Sequence, residues 1–430
     1  MFSKKKLEQI FDILWPINRS ITGNGVRETL KVLSEYIRLN IYEEKSGTKV
    51  FDWIVPSEWN VKKAYIITPN KNKIADFSIN NLHLLGYSTP IKKILTLEEL
   101  RPHLYTLENQ PSAIPYVTSY YKKTWGFCIT HNEYVNLTPG DYEVVIDTEF
   151  KQNGSLTYAD SIIKGSSNKE VLLSTYICHP SMANNELSGP LLSIFLYNIL
   201  SQRNDLKYNY RFVFVPETIG AICYLNKFGK ILKKNVYAGF VITCVGDKGE
   251  YTYKKTRDLN SITDRITIHI LKFSGEKYKL VDFFPMGSDE RQYSSPGFNL
   301  PIGSLMRSMY GTFEEYHTSL DNKNFISFSS IQETGLIYLK IIEAMELDGF
   351  YINTVLFCEP QLGVRDLYPQ IGTKNEKNDL LKKILYILNY SDGKHSLLEI
   401  AEKINCSILD LKEPLNILLE KKLLKKYEYE

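Results

Sequence analysis

Val171-Leu172-Leu173-Ser174-Thr175-Tyr176-Ile177-Cys178-His179-Pro180 is an apolar, strand-forming run that stops at an imidazole. Seven such residues, Val171 to Ile177, predict a buried strand. Gly189–Ser201 then reads as a helix, Arg211–Val215 as a strand, Ala221–Phe228 as a helix and Ala238–Thr243 as a strand. Ile266–Leu271 reads as a further strand and Ser330–Glu346 as a long helix. Strands alternating with helices predict an α/β sandwich with a mostly parallel sheet. Open sheets of this kind bind ligands outside the carboxyl ends of their strands. That edge is where His179 falls, and where Glu217 falls in Pro216-Glu217-Thr218-Ile219-Gly220.

On either side of this core the pattern changes. Residues 6–15 have apolar positions on one helical face, and Thr22 or Asn24 is expected to cap a second helix over Val26–Arg38. Residues 46–150 are rich in Thr, Tyr, Val and turn residues, with short strands expected at Lys63–Thr68, Trp125–Thr130 and Tyr142–Asp147. Periodicity fades over 363–377, around Pro369 and Gly372, which suits a linker. Helices are expected at Asn378–Leu388, Ser396–Ile404 and Ser407–Leu419, with the strands of a wing in Lys421–Tyr429. The expected domains are therefore an α/β domain made of 1–45 and 151–362, a β-rich insert at 46–150 and a winged helix at 363–430.

Composition narrows the function classes. A formal charge of +3 over 430 residues offers no basic surface for nucleic acid. Near the end, Lys412, Lys421, Lys422, Lys425 and Lys426 are balanced by Asp410, Glu413, Glu420, Glu428 and Glu430. The module therefore lacks the phosphate-neutralising excess that DNA binding needs, and internal packing or contact with a second copy of the chain is the expected use. The most apolar stretch, Leu191–Leu200, is too short to span a bilayer, and the start lacks the long apolar run of a secretory signal. Six scattered cysteines without CxxC pairs suit buried, reduced thiols in a cytoplasmic protein.

Four separated segments carry the chemistry. His179 is a candidate zinc ligand at the sheet edge, and His317, in Tyr316-His317-Thr318, is the second imidazole. Asn185 stands at the mouth of the next helix, and Asp247 follows a strand as a possible further ligand. Glu217 is the carboxylate placed to deprotonate a metal-bound water, or to bind the metal itself; the sequence leaves both open. Asp321 is positioned four residues after His317 to orient its ring. In Gly287-Ser288-Asp289-Glu290-Arg291, Arg291 suits a substrate carboxylate and Asp289 an amine, while Tyr316 suits an oxyanion. His83, His103, His131, His269 and His395 are read as structural.

With these segments in place, residues 155–325 resemble the zinc aminopeptidases of the co-catalytic di-zinc exopeptidase type. Over nearly its full length the chain is similar to an aminopeptidase-like family with an inserted β domain and a C-terminal winged helix. Trp15–Ser20, Asp52-Trp53 with Pro56 and Trp59, and Gly303–Arg307 carry that similarity. The resemblance implies a zinc-exopeptidase-like αβα sandwich and metal-dependent hydrolysis of a small peptide or amino-acyl conjugate. By association it also implies a role near surface-polysaccharide or specialised-metabolite synthesis. In that family's pattern the bridging Asp becomes Asn185, the second Glu of a pair becomes Thr218, and a strand-end Asp becomes Thr243 or Cys244 with Asp247 displaced. Losing three carboxylates removes the charge that holds two cations, so one zinc is expected, bound by His179 and His317 with one or two oxygens. An inactive binding protein is the alternative, and a nucleic-acid regulator ranks below it.

Overall fold

The computed structural model describes residues 3–368 and 376–427. It contains two compact units, Met1–Asp264 with Lys277–Gly335, and Arg265–Glu276 with Leu336–Glu430.

The first unit is built on eight strands: β1 (Asn40–Lys45), β2 (Ser155–Ile163), β3 (Glu170–Tyr176), β4 (Asn209–Val215), β5 (Val236–Val241), β6 (Tyr251–Lys254), β7 (Tyr278–Val281) and β8 (Ile302–Met306). They lie in the order β1-β2-β4-β3-β5-β8-β6-β7. The central four, β4, β3, β5 and β8, run parallel. The antiparallel pairings flank them, β1 with β2 and β2 with β4 on one side, β8 with β6 on the other. Every residue of β3 and β4 is buried, as continuous apolar strands in a covered parallel sheet should be. The fold is thus an α/β sandwich with a large, mainly parallel sheet. Helix Ser188–Leu200 follows β3 and starts hard against the sheet. A Cβ on Gly189 would lie 2.2 Å from Thr175 Oγ1 and 2.4 Å from the Ile242 carbonyl oxygen, so only glycine permits that approach.

Between β1 and β2 the chain forms a four-stranded antiparallel sheet from Lys73–Ile74, Glu58–Ile67, Asp141–Lys151 and Ile91–Thr96, in that order. Its buried Trp59 and Val144 belong to the same apolar cluster as Leu172 of β3 and Val215 of β4. The second unit has a three-stranded antiparallel sheet of Asp392–Ser396, Phe350–Asn353 and Leu424–Tyr427. Helices Glu376–Tyr390, Leu397–Ile404 and Lys412–Glu420 accompany it.

Several local expectations change. Ile266–Leu271 is not a strand but lies within helix Ile262–Lys272. Its β-branched run reads as extended, yet Ser261 and Asp264 cap each other reciprocally, Asp264 Oδ2 accepting from the Ser261 N–H at 2.8 Å and Ser261 Oγ from the Asp264 N–H at 3.3 Å. The second helix spans Asn24–Leu33, with Gly23 at its cap. Thr22 is unavailable there because its hydroxyl accepts from the Trp59 N–H (3.0 Å) and pairs with the Tyr87 hydroxyl (2.6 Å). Only Phe127–Cys128 of the run Trp125–Thr130 is a strand. In Lys421–Tyr429 there is one described strand, Leu424–Tyr427, and it pairs with Phe350–Asn353, upstream of the expected linker. Ser407–Leu419 divides into a 3₁₀ turn, Ile408–Leu411, and helix Lys412–Glu420. Pro369, Gly372 and residues 428–430 lie outside the described residues. Cys358 is exposed rather than buried. Among the described residues no helix is long and apolar enough to cross a membrane.

One buried histidine makes the second unit sensitive to acid. His269 Nε2 accepts a hydrogen bond from the Ile408 N–H at 2.9 Å, and burial lowers its pKa to about 4. The unfolded imidazole takes a proton near pH 6.5, which the folded one refuses. Stability is therefore unaffected above about pH 6.5 and falls as pH drops from there towards 4. Hydrogen exchange at the Ile408 amide, corrected for intrinsic rate, should accelerate across that window. The His269→Gln variant should lose the extra pH dependence.

Candidate metal centre

Three loops converge at the carboxyl edge of the sheet. His179 follows β3 and Glu217 follows β4, while His317 comes from the turn before Thr318. The backbone there is held in an uncommon region. Ser181, Thr218, Cys244 and His317 have φ of 47°, 65°, 52° and 56°. None is glycine, and for β-branched Thr218 this is costly. A single π turn, Ala183–Leu187, precedes helix Ser188–Leu200 and carries Asn185 and Glu186 into the site. π turns inside helical segments recur at functional sites.

Both faces of the His179 ring are spoken for. Nδ1 lies 2.8 Å from Glu186 Oε2, and Nε2 lies 3.6 Å from Glu217 Oε2. Glu186 Oε1 is in turn 3.5 Å from Arg19 Nε, with both side chains fully buried. Arg19 also donates to the carbonyls of His179 (3.1 Å) and Leu14 (2.7 Å). A carboxylate on one ring nitrogen leaves the other oriented for a metal. The His317 ring is centred 5.4 Å from that of His179 and stacks on Tyr316 at 3.9 Å. The Tyr116 ring sits 5.2 Å from one imidazole and 5.1 Å from the other, and the Tyr116 N–H donates to the His317 carbonyl at 2.8 Å.

Burial dominates the electrostatics. It lowers the pKa of His179 and of His317 to about 3, with Arg19 and His179 respectively adding to the effect, so both imidazoles are neutral at pH 7. It raises Glu217 well above the carboxylate range, reinforced by Asp289, and lifts Glu186 to about 8. Neutral imidazoles beside Glu217, a buried carboxyl whose neighbour Asp289 is also acidic, form an environment that a cation would stabilise.

The residues fit one zinc. Asn185 Nδ2–His317 Nε2 at 3.5 Å is near the roughly 3.4 Å that separates two ligands of one tetrahedral zinc, and Glu217 Oε2, 3.6 Å from His179 Nε2, is within reach either of such an ion or of a water on it. Proton counting favours Asn185 Oδ1 on the His317 side, against the two weaker sulfur contacts of the unturned amide, Nδ2 with Met182 Sδ at 3.7 Å and Oδ1 with Cys244 Sγ at 3.9 Å. Tyr176 Oη meets the assigned Asn185 Oδ1 (3.0 Å) and Thr243 Oγ1 (2.5 Å), and Thr243 Oγ1 meets the Asn185 carbonyl (2.9 Å). These are three oxygen–oxygen contacts with two hydroxyl protons between them. Turning the amide over supplies the missing N–H to Tyr176 and directs Oδ1 towards His317. A second ion has no such provision: Thr243 is consumed by Tyr176 and Asn185, and the Thr218 N–H and hydroxyl by Asp289 and Arg291. Cys178, His179 and Glu186 also bring ligand atoms within 4.8 Å of one another, but Arg19 already supplies the positive charge there.

Three expected roles need correction. Asp247 is not directed at the imidazoles: it accepts from Asn184 Nδ2 (2.9 Å), the Gly249 N–H (2.6 Å) and Ser308 Oγ (2.8 Å), which tie down its loop. Asp321 does not orient His317; it accepts the N–H groups of Asn184 (2.6 Å) and Asn185 (2.9 Å), capping the π turn. Asp289 is buried behind Thr218, accepting its N–H at 2.7 Å, and is closed to a substrate amine. Tyr316 stacks on His317 at 3.9 Å, and burial raises its pKa, with the charge of Glu217 adding to the effect. Arg291 does face a cavity of about 420 Å³, together with His179, Glu217, His317, Tyr116 and Tyr120. Arg19, Tyr116, Tyr120 and Glu186 had no assigned role in the sequence. Glu186 carried a signal, a carboxylate seven residues after His179 at the start of an apolar helix. The tyrosines carried none, since they reach the site only through tertiary contact.

A family model described as a domain of unknown function, DUF4910, matches residues 8–348, and one described as a winged helix-turn-helix matches 350–426. A Clostridium acetobutylicum protein named for polysaccharide biosynthesis with an aminopeptidase-like domain is 46% identical over 98% of this chain and 96% of its own. A crystal structure of a protein described as a peptidase from the same organism superposes with a TM-score of 0.92 at 45% identity, covering 99% of this chain and 97% of the other. A zinc aminopeptidase from Bacillus subtilis shares the fold at a TM-score of 0.57 and 12% identity, over 80% of this chain and 95% of its own.

The Arg19–Glu186 pair generates a stability test. Burial lowers the pKa of Arg19 and raises that of Glu186, so desolvation opposes both charges. Removing one partner leaves the other uncompensated, which costs about 3–5 kcal/mol, whereas replacing both by apolar residues costs far less. Urea denaturation should show that loss for Glu186→Ala. The Arg19→Met/Glu186→Leu double variant should unfold at a midpoint nearer that of the unaltered protein.

Proposed function

The chain belongs to the DUF4910 family and has the fold of the zinc aminopeptidases, and from that premise we propose that it is a metal-dependent amide hydrolase working with one zinc. The observation that carries the proposal is the opposition of His179 Nε2 and Glu217 Oε2 at 3.6 Å while Glu186 holds the other ring nitrogen. His179, His317 and Asn185 Oδ1 would hold the ion. Zinc in such a place supplies a Lewis-acidic centre and lowers the pKa of its water.

The protein's own groups do the rest. Glu217 in its ionised form, which a bound cation would favour, removes the proton from the attacking water; burial raises its proton affinity, so it holds that proton and then delivers it to the leaving amine. Glu186 fixes the His179 ring so that its Nε2 lone pair faces the cavity. Tyr116 and Tyr120, with hydroxyls 2.7 Å apart, place a donor where the carbonyl oxygen gains charge. Arg291, in the cavity wall, meets an anionic group of the substrate. A cavity of about 420 Å³ suits a small peptide or amino-acyl conjugate.

Elemental analysis of the purified chain tests this reading. About one zinc per chain is expected, lost in His179→Ala and in His317→Ala. Asn185→Asp, which exchanges a dipole for a charge, should raise zinc affinity by about tenfold or more. Absence of zinc after the metal is supplied would replace this proposal with that of a binding protein. Unchanged stoichiometry in both histidine variants would refute the ligand assignment.

A further inference from the structure

A second cavity, of about 380 Å³, adjoins the first, and Trp53 lines both. Its walls are Phe51 and Trp53 from the insert, Ile222 and Leu225 from helix Ile219–Asn235, and Phe298. The lining is apolar apart from exposed Asp52 and the side chains of Gln292 and Ser295. Asp52-Trp53 is also the sequence feature that neither the fold nor the metal centre accounts for.

Phe51 and Trp53 are 53% and 39% exposed, although Lys49–Val50 and Trp53–Ile54 form a tight antiparallel hairpin around them. Phe51 is held at φ 52°, and its ring meets Phe298 edge-on at 5.9 Å. Large aromatic side chains kept in water, one of them on the strained backbone of Phe51, are costly unless something else completes the contact. Consecutive residues join the two cavities: Arg291 lines the first and Gln292 the second. Arg291 Nη2 donates to Thr218 Oγ1 at 2.8 Å, while its buried Nε has no hydrogen-bond partner.

We propose that the leaving side of the substrate is an amino acid with a free carboxylate and a large apolar side chain, the carboxylate on Arg291 and the side chain between Phe51, Trp53 and Phe298. The reading rests on the hydrolase proposal for which side of the amide departs. It adds a specificity site contributed by the β-rich insert. The charge of Asp52 at the same cavity disfavours an acidic side chain.

Calorimetric titration of the full chain, stripped of metal with EDTA, tests the site without turnover. The probes are alanyl-phenylalanine, alanyl-alanine and alanyl-phenylalanine amide. The first should bind about tenfold or more tightly than either of the others, the advantage expected from burying one aromatic side chain or pairing one carboxylate. Phe51→Ala and Trp53→Ala, both at exposed positions, should erase the preference for phenylalanine over alanine. Equal affinities, a preference that survives both substitutions, or no binding of any probe would overturn the proposal. Failure of the zinc-loaded protein to cleave alanyl-phenylalanine, with these binding differences intact, would instead count against the hydrolase reading.

Discussion

Glu186 has to serve a guanidinium and an imidazole at once from inside a site closed to water, and much of the metal centre follows from where that carboxylate sits. It arrives on a π turn whose N–H groups are held by Asp321, at the head of a helix whose Gly189 lies against β3. Arg19 reaches it from the loop after the first helix and also grips the His179 backbone. Segments far apart in sequence are thereby fastened to one ring nitrogen. The other nitrogen is left facing Glu217 because nothing else remains to bind it.

Charge sets the limit on what this edge of the sheet can hold. Two buried histidines stay neutral, and buried carboxyls resist ionisation, a setting that the proposed zinc would ease. A second ion would need anionic ligands where Asn185, Thr218 and Thr243 now stand. Thr218 and Thr243 are not vacant remnants: their polar atoms are consumed in hydrogen bonds that shape the loops.

The insert is part of the site as well as a neighbour of it. Its Ile114–Tyr116 segment exchanges backbone hydrogen bonds with the His317 turn, which is how Tyr116 comes to face both imidazoles. Its Phe51–Trp53 turn closes the far end of the cavity system. The insert and the parallel sheet share one continuous apolar cluster, with Trp59 and Val144 on one side and Leu172 and Val215 on the other, which holds these loops together.

Residues 171–179, read alone, disclose a buried strand ending in an imidazole, because apolar periodicity and the residue that breaks it are local properties. The same holds for β4 and Glu217, for the helix at 188–200, for the 221–228 part of the longer helix Ile219–Asn235, and for the parallel core they imply. Strands β6, β7 and β8 were not legible, and Ile262–Lys272 was misread, because a β-branched run looks alike in either state until its cap is seen. Asp247, Asp289 and Asp321 have the right chemistry at plausible spacing, yet each is turned to a backbone partner that only the folded chain supplies. The sequence by itself determined which chemistry stands at the sheet's edge. The tertiary structure decided which of those side chains face the cavity, since orientation depends on hydrogen-bond partners distant along the chain.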